Sequence, residues 1–238
     1  MSMETTETIQ IHGHNIACAH HDTGNKVLVI FCHGFRSSSI GPNRFFVRAA
    51  RLLAEHGISS LRFDQYGCGN SEGDFMDSSF NDWVETTKVI AKDYAAKGYK
   101  IFLFGQSMGG STVIAAGSAL PELMGIVSWV PDASADDFEP FPGGFMEESG
   151  QRVQSRFWEE AHNADIADKL TKVKAPAYIV QCSEDEFVSK ENHEAIKANA
   201  QPQHTVEMFE GRRHSSWSYD DATTIIGKSV DFIVKTLG

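Results

Sequence analysis

Lys100-Ile101-Phe102-Leu103-Phe104-Gly105-Gln106-Ser107-Met108-Gly109-Gly110-Ser111-Thr112-Val113-Ile114-Ala115-Ala116 decides how this chain folds. Its first five residues form an apolar run that reads as a buried strand, and the residues after Gly109 read as the start of a helix. Between them stands G-x-S-x-G, a sharp strand-to-helix turn that lifts a serine hydroxyl above the edge of a sheet. The glycines suit a turn that is tight and in which strand and helix approach closely. Ser107 is therefore the candidate nucleophile.

Outward from this turn, apolar runs alternate with helical patterns. Thr8 to Ile11 and Asn15 to Ala19 flank His12-Gly13-His14 as a hairpin, and Val27 to Cys32 is a buried strand. Arg44 to His56 has apolar residues at helical spacing and ends at Gly57. Strands are expected at Ile58 to Phe63, Met124 to Val130, Ala177 to Cys182 and Thr205 to Phe209. Helices are expected at Phe80 to Lys97, Lys190 to Asn199 and Thr223 to Leu237. Such alternation predicts an α/β fold whose mostly parallel sheet is covered on both faces. One domain over residues 1–238 is expected, with an insertion over about 132–169, where prolines, glycines and aromatics interrupt the rhythm. A segment of that length is usually a lid or a binding loop.

The 238 residues can bury one sizeable core, and the hydrophobic share of 41% is ordinary for a globular protein. The formal net charge of -11, with no basic stripe, argues against nucleic acid or an anionic membrane as partner. The longest apolar run, Val27 to Cys32, is too short to span a bilayer. The polar, acidic first residues lack the pattern of a signal peptide. Cys18, Cys32, Cys68 and Cys182 are widely spaced and form no C-x-x-C pair. Free thiols in a reducing, cytoplasmic compartment are expected. His12, His14, His20 and His21 cluster, but no carboxylate or cysteine spacing completes a metal site.

A serine needs a base, and the base an orienting acid. Asp185 lies just past the strand ending at Cys182, and His214 just past the strand ending at Phe209. A side chain beyond the carboxyl end of a parallel strand faces the ligand crevice. Asp132, Glu184 and Glu186 are the alternative acids; His162, His193 and His204 are the alternative bases, with a satisfied core or surface histidine as the plainer reading of each. Two backbone N–H groups should form the oxyanion hole. Met108 supplies one, directly after the nucleophile, and Phe35 the other, from the loop Cys32-His33-Gly34-Phe35-Arg36-Ser37. In that loop Gly34 permits the bend and His33 is expected to brace it. Asp64, in Asp64-Gln65-Tyr66-Gly67-Cys68-Gly69-Asn70-Ser71-Glu72-Gly73, precedes the nucleophile, so loop anchoring is its expected role rather than catalytic acid.

These ordered blocks resemble the α/β-hydrolase superfamily. The resemblance runs from Val27 to the end of the chain. It implies a sheet of about eight mostly parallel strands and a Ser107–Asp185–His214 triad that works without a cofactor or metal. The short lid and the helix containing Trp83 are similar to compact carboxylesterases of the feruloyl/cinnamoyl-esterase-like group. Cys68 and Cys182 depart from the residues common there, histidine and glycine respectively. The implied activity is cleavage of a small-molecule carboxylic ester. Thioester or carbon–carbon cleavage are the enzymatic alternatives, and a ligand sensor without turnover the non-enzymatic one. Phe141, Phe145 and Trp158 are candidate pocket aromatics, against the alternative that they form the lid's own small core. Arg36 is a candidate contact to a polar or anionic substrate group, against a solvated arginine. Oligomeric state is not readable from the sequence.

Overall fold

The computed structural model describes residues 3–134, 136–148 and 150–238. An antiparallel hairpin, β1 (Met3–Ile11) and β2 (His14–Asp22), opens the chain. Then follow β3 (Val27–Cys32), α1 (Phe45–Glu55), β4 (Ser59–Phe63), α2 (Phe80–Ala96), β5 (Lys100–Gln106), α3 (Met108–Gly117) and β6 (Gly125–Trp129). An insertion follows, with the hairpin β7 (Phe145–Glu148) and β8 (Gln151–Gln154), then α4 (Ser155–Asn163) and α5 (Ile166–Lys172). The chain closes with β9 (Ala177–Cys182), α6 (Lys190–Asn199), β10 (His204–Phe209) and α7 (Tyr219–Leu237).

The eight-stranded sheet has the order β1-β2-β4-β3-β5-β6-β9-β10. β2 joins β4 antiparallel, and every pair from β4 to β10 is parallel. Alternation along each strand feeds two cores. Phe102 and Phe104 of β5 point to the face covered by α1 and α7, where Phe46, Leu53, Ile225 and Ile233 are buried. Ile101 and Leu103 point to the opposite face, with Trp83 of α2, Val113 of α3 and Ile196 of α6. Burial on both sides explains why β3, β5, β6 and β9 read as unbroken apolar runs.

Most expected elements stand within a residue or two. The hairpin strands are longer than expected, nine residues each. The last helix starts at Tyr219, four residues before the expected Thr223, because the Ser218 hydroxyl accepts the Asp221 N–H and caps it. The insertion carries a small hairpin and two helices that its composition does not reveal. Three of the four clustered histidines lie near carboxylates: His20 is 3.7 Å from Glu7, His21 3.9 Å from Glu4 and His14 3.8 Å from Glu72. Among the described residues no group of three or more His, Cys, Asp or Glu is placed to hold a metal ion. Among them, too, no helix is long and apolar enough to cross a membrane.

Candidate active site

Ser107 sits between β5 and α3 with φ 56° and ψ -127°, a conformation L-residues rarely adopt and one that costs of order 1–3 kcal/mol. Its surroundings fix it there. The Ser107 N–H donates to the Trp129 carbonyl at 2.8 Å, and the Ser107 carbonyl accepts from the Ser111 N–H at 3.0 Å. A Cβ on Gly109 would lie 2.1 Å from the Cys32 carbonyl oxygen, so only glycine lets α3 approach β3 this closely. Val130, just past β6, also has a positive φ of 45°, an outlier for a β-branched residue.

Met108 is the first residue of α3, so its N–H has no partner within the helix and stays a candidate donor directly after Ser107. The second candidate donor, Phe35, is aimed by His33. The His33 ring is fully buried. Its Nε2 accepts the Gln65 N–H at 2.9 Å, so its proton resides on Nδ1, which donates to the Gly34 carbonyl at 2.8 Å. In a trans peptide the carbonyl and the following N–H point in opposite directions. Turning the Gly34 carbonyl onto His33 therefore turns the Phe35 N–H away from it. Burial lowers the pKa of His33 and keeps it neutral, as this pairing requires. Gly34 itself lies against the elbow: a Cβ there would stand 2.7 Å from Gln106 Oε1 and 3.3 Å from Ser107 Cβ.

Asp185 and His214 come together from the ends of β9 and β10. Asp185 Oδ2 lies 2.7 Å from His214 Nδ1. Its Oδ1 accepts the Phe187 and Val188 N–H groups, both at 2.9 Å. Burial alone would raise the Asp185 pKa; the hydrogen bond and charge of His214 and the two N–H groups outweigh it and hold the carboxyl below its ordinary value. Glu186 Oε2 accepts the His214 backbone N–H at 3.1 Å. Asp132, the alternative acid, instead accepts the Ser134 N–H at 2.6 Å and lies beside a separate cavity, with its pKa raised chiefly by burial. Asp64 anchors its loop, accepting the Ser39 and Asn70 N–H groups at 2.6 and 2.8 Å.

Ser107 and His214 line one cavity of about 400 Å³ together with Phe35, Arg36, Trp158 and Phe187. Met108 and Trp158 also line a smaller cavity of about 140 Å³, with Asp132, Phe138, Ala161 and His162. Two expected aromatics stand elsewhere. Phe141 packs on Phe138, and its N–H donates to the Ser155 hydroxyl. Phe145 lies in β7 under the Arg152 guanidinium and is 37% exposed. Neither lines either cavity; the insertion reaches the site through the helix that follows β8. That helix is α4, whose Trp158 ring packs 4.7 Å from Phe35 while Phe157 is buried against Phe75 and Trp83. Arg36 lies over the Phe35 ring at 5.2 Å, on the cavity wall. Gln106, Pro42, Phe187 and Ser215 line the cavity without having been singled out in the sequence. Of these, only Phe187 carried a signal, its place two residues past the acid.

All four cysteines are buried free thiols. Burial pushes Cys18, Cys32, Cys68 and Cys182 up to about 12, so none offers a thiolate near neutral pH. Cys68 packs into the core and does not line the cavities beside Ser107. The site thus brings together a hydroxyl on a strained elbow and, in the same cavity, an imidazole hydrogen-bonded to a carboxylate, two of the groups that acyl transfer on serine uses.

The family profile described as "Serine aminopeptidase, S33" matches residues 23–140. The palmitoyl-protein thioesterase ABHD10 of Bos taurus, a mitochondrial protein, is 26% identical over 184 residues. That alignment covers 69% of this chain and 59% of the relative, so the chain spans less than two thirds of the relative's length. Est1E from Butyrivibrio proteoclasticus, solved with ferulic acid bound, superposes with a TM-score of 0.84 at 21% identity, covering 97% of this chain and 99% of that one. The mouse α/β hydrolase domain-containing protein 10 superposes with a TM-score of 0.83 at 19% identity, covering 97% and 99%. The chain thus shares its fold over nearly its full length with these proteins: it has the α/β-hydrolase fold, an eight-stranded and mostly parallel sheet covered by helices.

Proposed function

We propose that this chain hydrolyses carboxylic esters through an acyl-enzyme on Ser107. One observation carries the reading: Ser107, on its strained elbow, lines the same cavity as His214, whose Nδ1 is held at 2.7 Å by Asp185. With Nδ1 occupied, Nε2 is the ring nitrogen left to take the Ser107 proton as the hydroxyl attacks the ester carbonyl. The Phe35 and Met108 N–H groups receive the oxyanion. His214 then returns the proton to the leaving alcohol oxygen as the C–O bond breaks. Water, activated by the same imidazole, releases the acid. Asp185 stabilises the imidazolium formed in each half-reaction. The side chains and backbone supply nucleophile, base and oxyanion donors, so the reaction calls on no cofactor. The four unpaired thiols support a reducing compartment.

A fluorophosphonate probe followed by mass spectrometry tests the proposal. Labelling is expected at Ser107, absent in Ser107→Ala and strongly reduced in His214→Ala. Folded protein that resists labelling would sink it. Thioester cleavage is the second reading, favoured by the palmitoyl-protein thioesterase among the relatives. Comparing p-nitrophenyl, hydroxycinnamate and acyl-CoA substrates separates the two. A kcat/KM far higher on acyl-CoA would replace the ester by the thioester.

A further inference from the structure

Phe187 is 73% exposed, the second most exposed large apolar side chain among the described residues. Its exposure is not that of a loose loop tip. The Phe187 N–H donates to Asp185 Oδ1, so the acid itself fixes the backbone. The ring stands edge-on to the His214 imidazole, with centroids 5.2 Å apart, and lines the cavity that holds Ser107. A fixed aromatic ring left in water beside a candidate general acid is surface waiting to be covered.

The chemistry says by what. The imidazole must hand its proton to the leaving oxygen, so the leaving group lies at His214 Nε2, Nδ1 being taken by Asp185. The carbonyl oxygen is fixed on the other side by Phe35 and Met108. A substituent on the leaving oxygen must therefore pass the wall that flanks His214, which is Phe187, with Pro42 across the same cavity. An acyl part directed away from Phe187 has the second cavity before it, about 140 Å³, which Met108 and Ala161 line and which shares Trp158 with the first. That volume is below the roughly 300–1,000 Å³ of ordinary small-molecule sites, whereas the cavity that Phe187 lines together with Ser107 and His214, about 400 Å³, falls within it.

We propose that Phe187 forms the leaving-group subsite and that the chain prefers esters of a small acid with a bulky apolar alcohol. The proposal rests on the serine-hydrolase reading above. Closing the alkyl or aryl group of the alcohol over Phe187 also shuts water away from His214 while the acyl-enzyme forms. The preference runs against a long-chain acyl substrate.

The test measures kcat/KM for acetates of methanol, butanol, hexanol and benzyl alcohol, and separately for methyl esters of acetate, butyrate and hexanoate. Both series are run on the wild type, Phe187→Ala and Phe187→Leu. The wild type should favour hexyl and benzyl over methyl acetate. Phe187→Ala should reduce that ratio by about tenfold, Phe187→Leu should recover part of it, and the acyl-length dependence should keep its wild-type slope. An unchanged alcohol ratio in Phe187→Ala, or an equal change in the acyl series, overturns the subsite. Fluorophosphonate labelling of Ser107 is followed in the same samples. Its absence from the wild type would bring down the hydrolase reading and the subsite together, while labelling with an unaltered alcohol ratio would bring down the subsite alone.

Discussion

Replacing His33 by asparagine and by glutamine separates two jobs its ring performs. The Asn amide nitrogen reaches about where Nδ1 lies and can still donate to the Gly34 carbonyl; the Gln side-chain oxygen reaches about where Nε2 lies and can still accept the Gln65 N–H. Each variant thus keeps one of the bonds of 2.8 and 2.9 Å and leaves one backbone group unpaired in a buried place. Each also shrinks a ring that lies edge-on to Trp83 at 5.2 Å. An orphaned buried group costs about 1–3 kcal/mol, so urea denaturation should find both variants destabilised by similar amounts. Their rates should differ. His33→Gln frees the Gly34–Phe35 peptide to rotate and spoils the aim of the Phe35 N–H, with a ceiling near the 10²–10³ in rate that one oxyanion donor is worth. His33→Asn keeps the clamp and should retain most of kcat. The loss should fall on kcat and on the rate of Ser107 labelling rather than on KM, because the oxyanion exists only in the transition state. Equal kcat in two equally stable variants, or a loss confined to KM, would refute the claim that His33 acts through the direction of this peptide.

Asp185→Asn should lower kcat by about 10⁴ with little change in fold, since the amide would stabilise the wrong His214 tautomer; steady-state kinetics on p-nitrophenyl acetate check it. Phe157→Ala removes a ring that is 1% exposed and touches Phe35, Phe75, Phe80 and Trp83. A loss of about 3–5 kcal/mol is expected. For a chain of this size that is a Tm lower by roughly 6–20 °C in calorimetry. Burial lowers the pKa of His33, His193 and His204 from the ordinary 6.5. Each stays neutral in the fold but gains a proton when unfolded, so stability is complete above pH 6.5 and falls as the pH drops below it. His33 alone contributes up to about 1.4 kcal/mol per pH unit there, and denaturation midpoints flat between pH 7 and 5.5 would contradict this.

What the chain showed in advance is what is local or ordered along it. The elbow was legible because a strand that turns straight into a helix needs Gly105 and Gly109 beside the serine, whatever the rest of the molecule does. Asp185 and His214 were legible because parallel strands bring their carboxyl ends to one crevice, so a carboxylate after β9 and a histidine after β10 must meet above the sheet. The aromatics of the insertion were not. Phe141, Phe145, Phe157 and Trp158 are equivalent by composition, and which of them reaches Ser107 is set by how α4 docks on α2. That docking depends on Phe157 fitting between Phe75 and Trp83, residues more than 70 positions away. The hairpin of β7 and β8 escaped for a related reason: four-residue strands carry too little alternation to stand out from a loop.

The same distinction bears on how the site is held. Ser107 takes its position from the sheet, through the Trp129 carbonyl and the contact of Gly109 with β3. His214 takes its position from the acid loop. The Ser183 hydroxyl accepts the Gly211 N–H at 2.8 Å, and the Glu184 N–H donates to the Arg212 carbonyl at 2.9 Å. Glu186 accepts the His214 N–H and lies 3.0 Å from the Arg213 guanidinium, while Asp185 holds the ring. Four consecutive residues of one loop thus bind four consecutive residues of the other. Strain between the loops would therefore move Asp185 and His214 as a pair and leave their 2.7 Å contact intact. The distance such motion changes is the one from His214 Nε2 to Ser107 Oγ, across the cavity that Phe187 and Trp158 border. Proton transfer is sensitive to that distance, and a bound substrate that spans the cavity bears on both of its sides. The loop contacts thus tie His214 to Asp185, and the distance from His214 to Ser107 is left to be set by what the cavity holds.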